Sequence, residues 1–250
     1  MVWDVACRET LYIISYMIEI RDLKKTFGTH MAVDGISLSI KKGSVFGILG
    51  PNGAGKTTMM KVIVGLDRPT SGSVRIDGRD PAVRQTRESI GFMPESPSFY
   101  DHLTGLEFLT FCGSLFHTQA MKHHEYLDLL KRVGIFEAKD APICTYSKGM
   151  RQRLAFAQAI VNDPAYLFLD EPLDGLDPIG RRELKSIITA LQKKGTTIVF
   201  NSHILFDTEE LCDEIGILHH GSLLYSGPIE AFTKGQPLEE RFVSVIQHLS

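Results

Sequence analysis

Short, wholly apolar runs alternate along this chain with stretches in which apolar positions recur every three or four residues. Val45-Phe46-Gly47-Ile48-Leu49, Tyr166-Leu167-Phe168-Leu169, Thr197-Ile198-Val199-Phe200 and Ile215-Gly216-Ile217-Leu218 are of the first kind. Such runs mark strands buried on both faces of a largely parallel sheet. Lys56 to Gly65 and Arg181 to Lys193 have helical spacing and fall beside these runs, which gives the alternation expected of an α/β fold. Ser73-Val74-Arg75-Ile76 before Asp77-Gly78 reads as a strand entering a turn and predicts a small antiparallel β section near the front of the domain. Between about Pro94 and Val161 the chain becomes strand-poor. Leu103 to Phe116, Glu125 to Val133 and Ser147 to Val161 are helix candidates, the last with Ser147 as its N-cap. A helical insert within an α/β core accounts for the size of the chain without a second independent domain, and neither internal repeats nor low-complexity segments occur.

Composition narrows the class. The 250 residues carry 27 Lys+Arg against 30 Asp+Glu, a net charge of −3, with 43% hydrophobic residues, as in ordinary globular proteins. Collagen-like, disordered and strongly basic classes are excluded, and no nucleic-acid partner is expected of so acidic a domain. Cys7, Cys112, Cys144 and Cys212 are far apart and form no CxxC pair, which argues against a disulfide framework or a zinc site and for a reducing cytoplasm. The doublets His123-His124 and His219-His220 lack a second ligand group at metal spacing. The chain has no apolar run of the length that spans a membrane. Its longest candidate, Leu11 to Ile18, lacks the basic flank and cleavage site of a signal peptide. Residues 1–17 are expected to be an N-terminal extension, with Met17 an alternative start.

Two motifs carry chemistry. Gly50-Pro51-Asn52-Gly53-Ala54-Gly55-Lys56-Thr57 fits the phosphate-binding loop GxxxxGK[ST] at every fixed position, between a strand and a helix. Small residues there let successive backbone N–H groups point at one phosphate, aided by the positive end of the following helix. Asn52, Gly53, Ala54, Gly55, Lys56, Thr57 and Thr58 are therefore candidate nucleotide-binding residues. Lys56 reaches the β- and γ-phosphates and Thr57 ligates Mg²⁺. The run Leu167-Phe168-Leu169 ends in Asp170-Glu171. Coupled to a phosphate loop, Asp170 is suited to hold Mg²⁺ and Glu171 to act as general base on the attacking water.

With these motifs and Tyr146-Ser147-Lys148-Gly149-Met150-Arg151-Gln152-Arg153, the sequence resembles the ATP-binding-cassette (ABC) ATPases from about Ile18 to the C-terminus. The octapeptide stands where the family has its LSGGQ signature: Ser147 and Gly149 match, Lys148 and Met150 depart. In the family this loop binds the γ-phosphate of ATP held by the opposite subunit. The resemblance further implies that Phe27 stacks on adenine and that Glu95 stands where the family generally has a glutamine sensing Mg²⁺ and water. Asp174-Gly175-Leu176-Asp177 resembles the loop that crosses the dimer interface, with Asp177 sensing the partner, and His203 resembles the switch histidine that contacts the γ-phosphate. Read alone, a Phe at position 27 is usually core and a His at position 203 more often a satisfied strand-end residue.

The fold so implied is the P-loop NTPase core of an ABC cassette over residues 18–250, with a helical subdomain at about 95–162 and a C-terminal tail at about 222–250. The activity implied is ATP hydrolysis with ATP and Mg²⁺ as cofactors. The partners implied are a second cassette, in a homodimer or a heterodimer, and a separately encoded transmembrane permease subunit docked near Ser96 to Leu109, with Phe99 and Tyr100 on the docking surface and Phe108 fitting that surface or the core equally well. The location implied is the cytoplasmic face of the cell membrane. The Tyr-Ser-Lys-Gly-Met signature, the Glu at position 95 and the short tail resemble cassettes that serve export. Two other readings stay open at this stage: a soluble ABC ATPase acting on nucleic acid or ribosomes, and a regulatory module that holds ATP without hydrolysing it.

Overall fold

The computed structural model describes residues 16–116 and 121–248. Cys7, the apolar stretch from Leu11 and all of the expected N-terminal extension before Tyr16 lie outside the described residues. The first two strands, β1 (Tyr16–Phe27) and β2 (His30–Lys41), form a hairpin closed by Gly28 and Thr29. Tyr16 already pairs with Lys41, so the strand runs two residues ahead of the boundary read from the sequence. β3 (Val45–Leu49) leads through the glycine loop into α1 (Lys56–Ile63), and β4 (Ser71–Ile76) then returns to pair antiparallel with β1. The short α2 (Arg84–Arg87) and β5 (Ile90–Met93) precede the helical stretch of α3 (Gly105–Ser114), α4 (His123–Arg132) and α5 (Lys148–Ile160), which includes two 3₁₀ turns at Phe136–Ala138 and Ile143–Thr145. The chain ends in β6 (Tyr166–Asp170), α6 (Pro178–Lys193), β7 (Thr197–Asn201), α7 (Leu205–Leu211), β8 (Glu214–His219), β9 (Ser222–Pro228), α8 (Ile229–Thr233) and α9 (Leu238–Gln247).

The strands make two sheets. One is antiparallel, in the order β2-β1-β4; the other runs β5-β6-β7-β3-β8-β9 and is parallel except for the β8–β9 hairpin. All five residues of β3, of β6 and of β7 are buried, and their alternation decides which core each side chain joins. Phe46, Ile48, Phe168 and Val199 face Met59, Met60 and Ile63 of α1 and the inner face of the antiparallel sheet. Val45, Leu49, Leu167, Leu169, Ile198 and Phe200 face the other way, onto the apolar sides of α3, α5 and α6. Strands covered on both faces read as continuous apolar runs, and the sequence carries those runs for that reason.

Capping fixes where the helices start. Thr104 and Glu107 form a reciprocal capping box ahead of α3, and the Ser147 hydroxyl accepts the Met150 N–H ahead of α5. At α6 the Asp177 carboxylate accepts the Gly180 N–H at 2.8 Å and Pro178 occupies the first turn. This helix therefore begins three residues before the Arg181 start that periodicity suggests. No described helix is long and apolar enough to cross a membrane. Cys112, Cys144 and Cys212 are free thiols.

Candidate active site

The carboxyl ends of β3, β6 and β7 converge beside the N-terminus of α1, the usual place for a ligand in an open parallel sheet. A cleft of about 410 Å³ opens there, lined by Phe27, His30, Ala32, Asn52, Gly53, Ala54, Gly55, Lys56, Thr57, Thr58, Glu95, Glu171 and Asn201. Its floor is the glycine loop. Gly55 has φ +100°, and a Cβ on it would meet the Ala32 carbonyl at 2.3 Å, so only glycine fits between the loop and β2. Lys56 is buried and bends back over the loop, its Nζ donating to the Gly50 and Pro51 carbonyls at 2.6 and 3.2 Å. Burial lowers its pKa, while the carboxylates of Glu171, Asp170 and Glu95 act in the opposite sense. A desolvated ammonium held among acceptors it can leave is suited to take phosphate oxygens.

Asp170 ends β6 with no exposed surface. One of its oxygens accepts from Asn201 Nδ2, on the adjoining end of β7, and Oδ2 is buried without a partner. An orphaned carboxylate oxygen at the edge of a phosphate cradle fits a hard divalent cation. Among the described residues no group of three His, Cys, Asp or Glu forms a protein-only metal site. Thr57, Asp170 and Glu95 therefore fit an ion shared with a bound phosphate.

Glu171 has φ +53°, in the left-handed region. Its backbone is held from both sides: its N–H donates to the Asn201 carbonyl at 2.9 Å, and its carbonyl accepts from Gln152 Nε2 of α5 at 2.8 Å. Its Oε2 lies 2.8 Å from His203 Nδ1, in the loop after β7. Burial raises the Glu171 pKa and the imidazole beside it partly offsets this. His203 is thus a hydrogen-bonded residue just beyond the end of β7, and its partner is the Glu171 carboxylate. Phe27 is 49% exposed at the rim of the cleft, with Lys25 Nζ 4.8 Å from its ring centroid, so the core alternative for this residue does not hold.

Ser147, Gly149 and Asp177 do not line this cleft, and neither do Asp170 and His203; Gly149 lies beside Gly175 and Leu176 of the loop before α6. The Lys148 stem lies across Gly175, and its Nζ reaches Asp174 at 2.7 Å. This contact holds the Asp174 carboxyl below the usual range and joins the α5 N-terminus to the loop before α6. Asp177 caps α6. In the expected docking segment, Phe108 is core, with Phe99 packed edge-on at 5.2 Å. Tyr100, 54% exposed, pairs with the exposed Phe111 at 5.7 Å.

Sequence reasoning missed His30, Ala32, Asn201 and Gln152. The first two face the cleft because the hairpin pairs Phe27 with His30, and a Gly-Thr turn was the signal for it. Asn201 is the residue paired with Asp170 where two buried strands end together. Gln152 is a polar residue on the buried face of α5.

The chain is similar to known proteins in sequence and in fold. The model of the family described as ABC transporter matches residues 33–174. An uncharacterized ABC transporter ATP-binding protein of Synechocystis sp. is 46% identical over 78% of this chain, which spans 56% of that protein's length. The lantibiotic transport ATP-binding protein SrtF of Streptococcus pyogenes is 37% identical over 90% of this chain and 96% of its own. The bacitracin transport ATP-binding protein BcrA of Enterococcus faecalis is 40% identical over 86% and 70%. Among solved structures, the ATP-binding subunit of an ABC transporter superposes with a TM-score of 0.86 at 27% identity, over 92% of this chain and 99% of its own. A dimeric ATP-binding cassette in a post-hydrolysis state with ADP and Pi gives a TM-score of 0.79 at 25% identity, over 85% and 98%.

Proposed function

The chain belongs to the ABC transporter family as an ATP-binding protein, and from that premise we propose that it hydrolyses ATP at sites shared between two cassettes and drives export through a separately encoded membrane permease. The observation that carries this reading is the buried Glu171 carboxylate, paired with His203 at 2.8 Å and facing the cleft that holds Lys56 and the glycine loop.

The chemistry follows from the chain's own groups. The loop N–H groups and the α1 N-terminus bind the triphosphate, Lys56 leaves the Gly50 and Pro51 carbonyls for the β- and γ-phosphates, and Phe27 stacks on the adenine. Thr57, Asp170 and Glu95 would hold Mg²⁺, which when bound would offset the charge developing on the phosphate oxygens. Glu171 takes the proton of the attacking water on Oε1, while His203 fixes Oε2 and so the plane of the carboxylate. Desolvation makes that carboxylate a stronger base than an exposed one. Ser147 and Gly149 serve the nucleotide of the opposite cassette, which fits their absence from the lining of the cleft in their own chain, and Asp177 reports the partner's approach. Hydrolysis rather than mere retention of ATP is supported by the Glu171–His203 pair.

The exposed Tyr100 and Phe111 support a permease-docking face near Ser96 to Leu109, and hence a peripheral location on the inner face of the membrane. The relatives named for lantibiotic and bacitracin transport support export over a role on nucleic acid. Steady-state turnover beside nucleotide binding tests the catalytic core of the reading. Lys56→Ala is expected to lose productive ATP binding. Glu171→Gln is expected to keep binding and to lose about 10²- to 10⁴-fold in hydrolysis, the usual worth of a general base. Turnover by Glu171→Gln at the wild-type rate contradicts the assignment.

A further inference from the structure

The histidine loop and the crossing loop are joined inside one chain by a charged cluster that the hydrolytic chemistry does not use. Asp207, in the first turn of α7, lies four residues beyond His203 and is 3% exposed. Its Oδ1 accepts from Lys185 Nζ of α6 at 2.5 Å, and its Oδ2 lies 3.6 Å from Arg181 Nη1. Arg181 lies four residues beyond Asp177, and its Nε donates to the Leu176 carbonyl of the crossing loop at 3.3 Å. One guanidinium thus hydrogen-bonds the backbone of the loop that bears Asp177 and lies within ion-pair distance, without a hydrogen bond, of the buried carboxylate on the helix that follows His203. Lys185 also donates to Glu210 Oε2, on the same helix as Asp207, at 2.6 Å.

Stability is a poor reason for this arrangement, because burying charge is costly and apolar replacements of similar volume serve a core as well or better. Position is a better one. Only Asp207 and Thr208 of α7 are fully buried, Phe206 is 70% exposed, and no side chain caps the helix. Leu205 and Leu211 pack on the core, and Lys185 joins α6 to both Asp207 and Glu210 of α7; of those two carboxylates only Asp207 is buried, at the end of the helix next to the loop that bears His203. We propose that Asp207 is a positioning residue that holds His203 against Glu171, and that Arg181 makes that position depend on the crossing loop. Movement of the Leu176 carbonyl when a second cassette arrives would shift the guanidinium, then α7, then the His203 ring. This inference rests on the general-base reading of Glu171.

The test reads His203 directly. Its imidazole NMR signals, assigned by their loss in His203→Ala, are compared among wild type, Glu171→Gln, Asp207→Asn, Asp207→Glu and Arg181→Met, with the other eight histidines as controls. Asp207→Asn and Arg181→Met are expected to move the His203 signals toward their Glu171→Gln positions and to leave the rest in place. Both should lower kcat about tenfold, as small misplacements of catalytic groups do, with KM for ATP within about twofold, and Asp207→Glu should restore most of the loss. If Asp207→Asn does not fold, Arg181→Met, whose site is partly exposed, carries the test alone. His203 signals at their wild-type positions in the variants that fold, or a wild-type kcat there, overturn the proposal. Wild-type turnover by Glu171→Gln instead overturns the general-base reading, and this proposal with it.

Discussion

Glu171 combines three features that work against stability: a left-handed backbone at φ +53°, a buried carboxylate, and a pKa raised by that burial. A buried carboxylate whose pKa is raised suits the general-base role proposed for it. The pH dependence follows from the direction of the shift. The base acts only when deprotonated, so the acid limb of kcat at saturating ATP is expected above the ordinary glutamate range of about 4.3, and a limb at or below that value contradicts the assignment. Stability changes with pH in the opposite sense to activity. In the window between the unfolded and the raised folded pKa, the native state keeps a proton that the unfolded chain releases, so raising the pH through that window costs stability. Glu171→Gln is therefore expected to have a higher Tm than wild type at neutral pH, with the gap closing as the pH falls and Glu171 itself becomes neutral. A lower Tm at pH 7 would show that the contact with His203 outweighs desolvation.

At the scale of elements, the N-terminus of α5 ties several residues into one surface. Ser147 caps it, Lys148 reaches from it across Gly175 to Asp174, and Gln152 on its buried face holds the Glu171 carbonyl. Ser147→Ala removes the partner of the Met150 N–H and should cost about 1 kcal/mol of stability, read from chemical denaturation of the monomer without nucleotide. No change in the denaturation midpoint would mean that the N–H is satisfied by other means. The start of α5 was legible in the sequence because a serine stands just before the helical pattern, and β3, β6, β7 and β8 were legible because burial on both faces leaves no polar residue inside them. β2 and β9 were not, since β2 mixes buried with exposed positions and β9, at the sheet edge, has only partly buried and exposed ones. The short β5, of four residues, gives too little pattern to separate it from a loop. The same limit applied to the site. Loop-bound chemistry at Lys56, Thr57, Asp170 and Glu171 was readable from spacing, whereas His30, Asn201 and Gln152 reach their places only through strand pairing and helix packing.

On the scale of the whole molecule, the nucleotide cleft and the surface that carries Ser147, Gly149 and Asp177 are separate within one chain. On the reading proposed above, each is half of what the reaction needs and two facing cassettes would supply both halves twice, with bound nucleotide favouring the closed pair and hydrolysis removing that bias, a two-state equilibrium shifted by ligand. The ion pair of Lys148 with Asp174 is exposed and worth little in a single chain; what it does is hold the two parts of that surface in register. The central claim is that ATP, before hydrolysis, joins two cassettes, and the mass of purified Glu171→Gln protein by size-exclusion chromatography with light scattering, with and without Mg-ATP, tests it most directly. A dimer formed only with Mg-ATP is the expected result. A monomer at saturating Mg-ATP, in a protein that binds nucleotide normally, would contradict the claim that two copies of this chain complete the site.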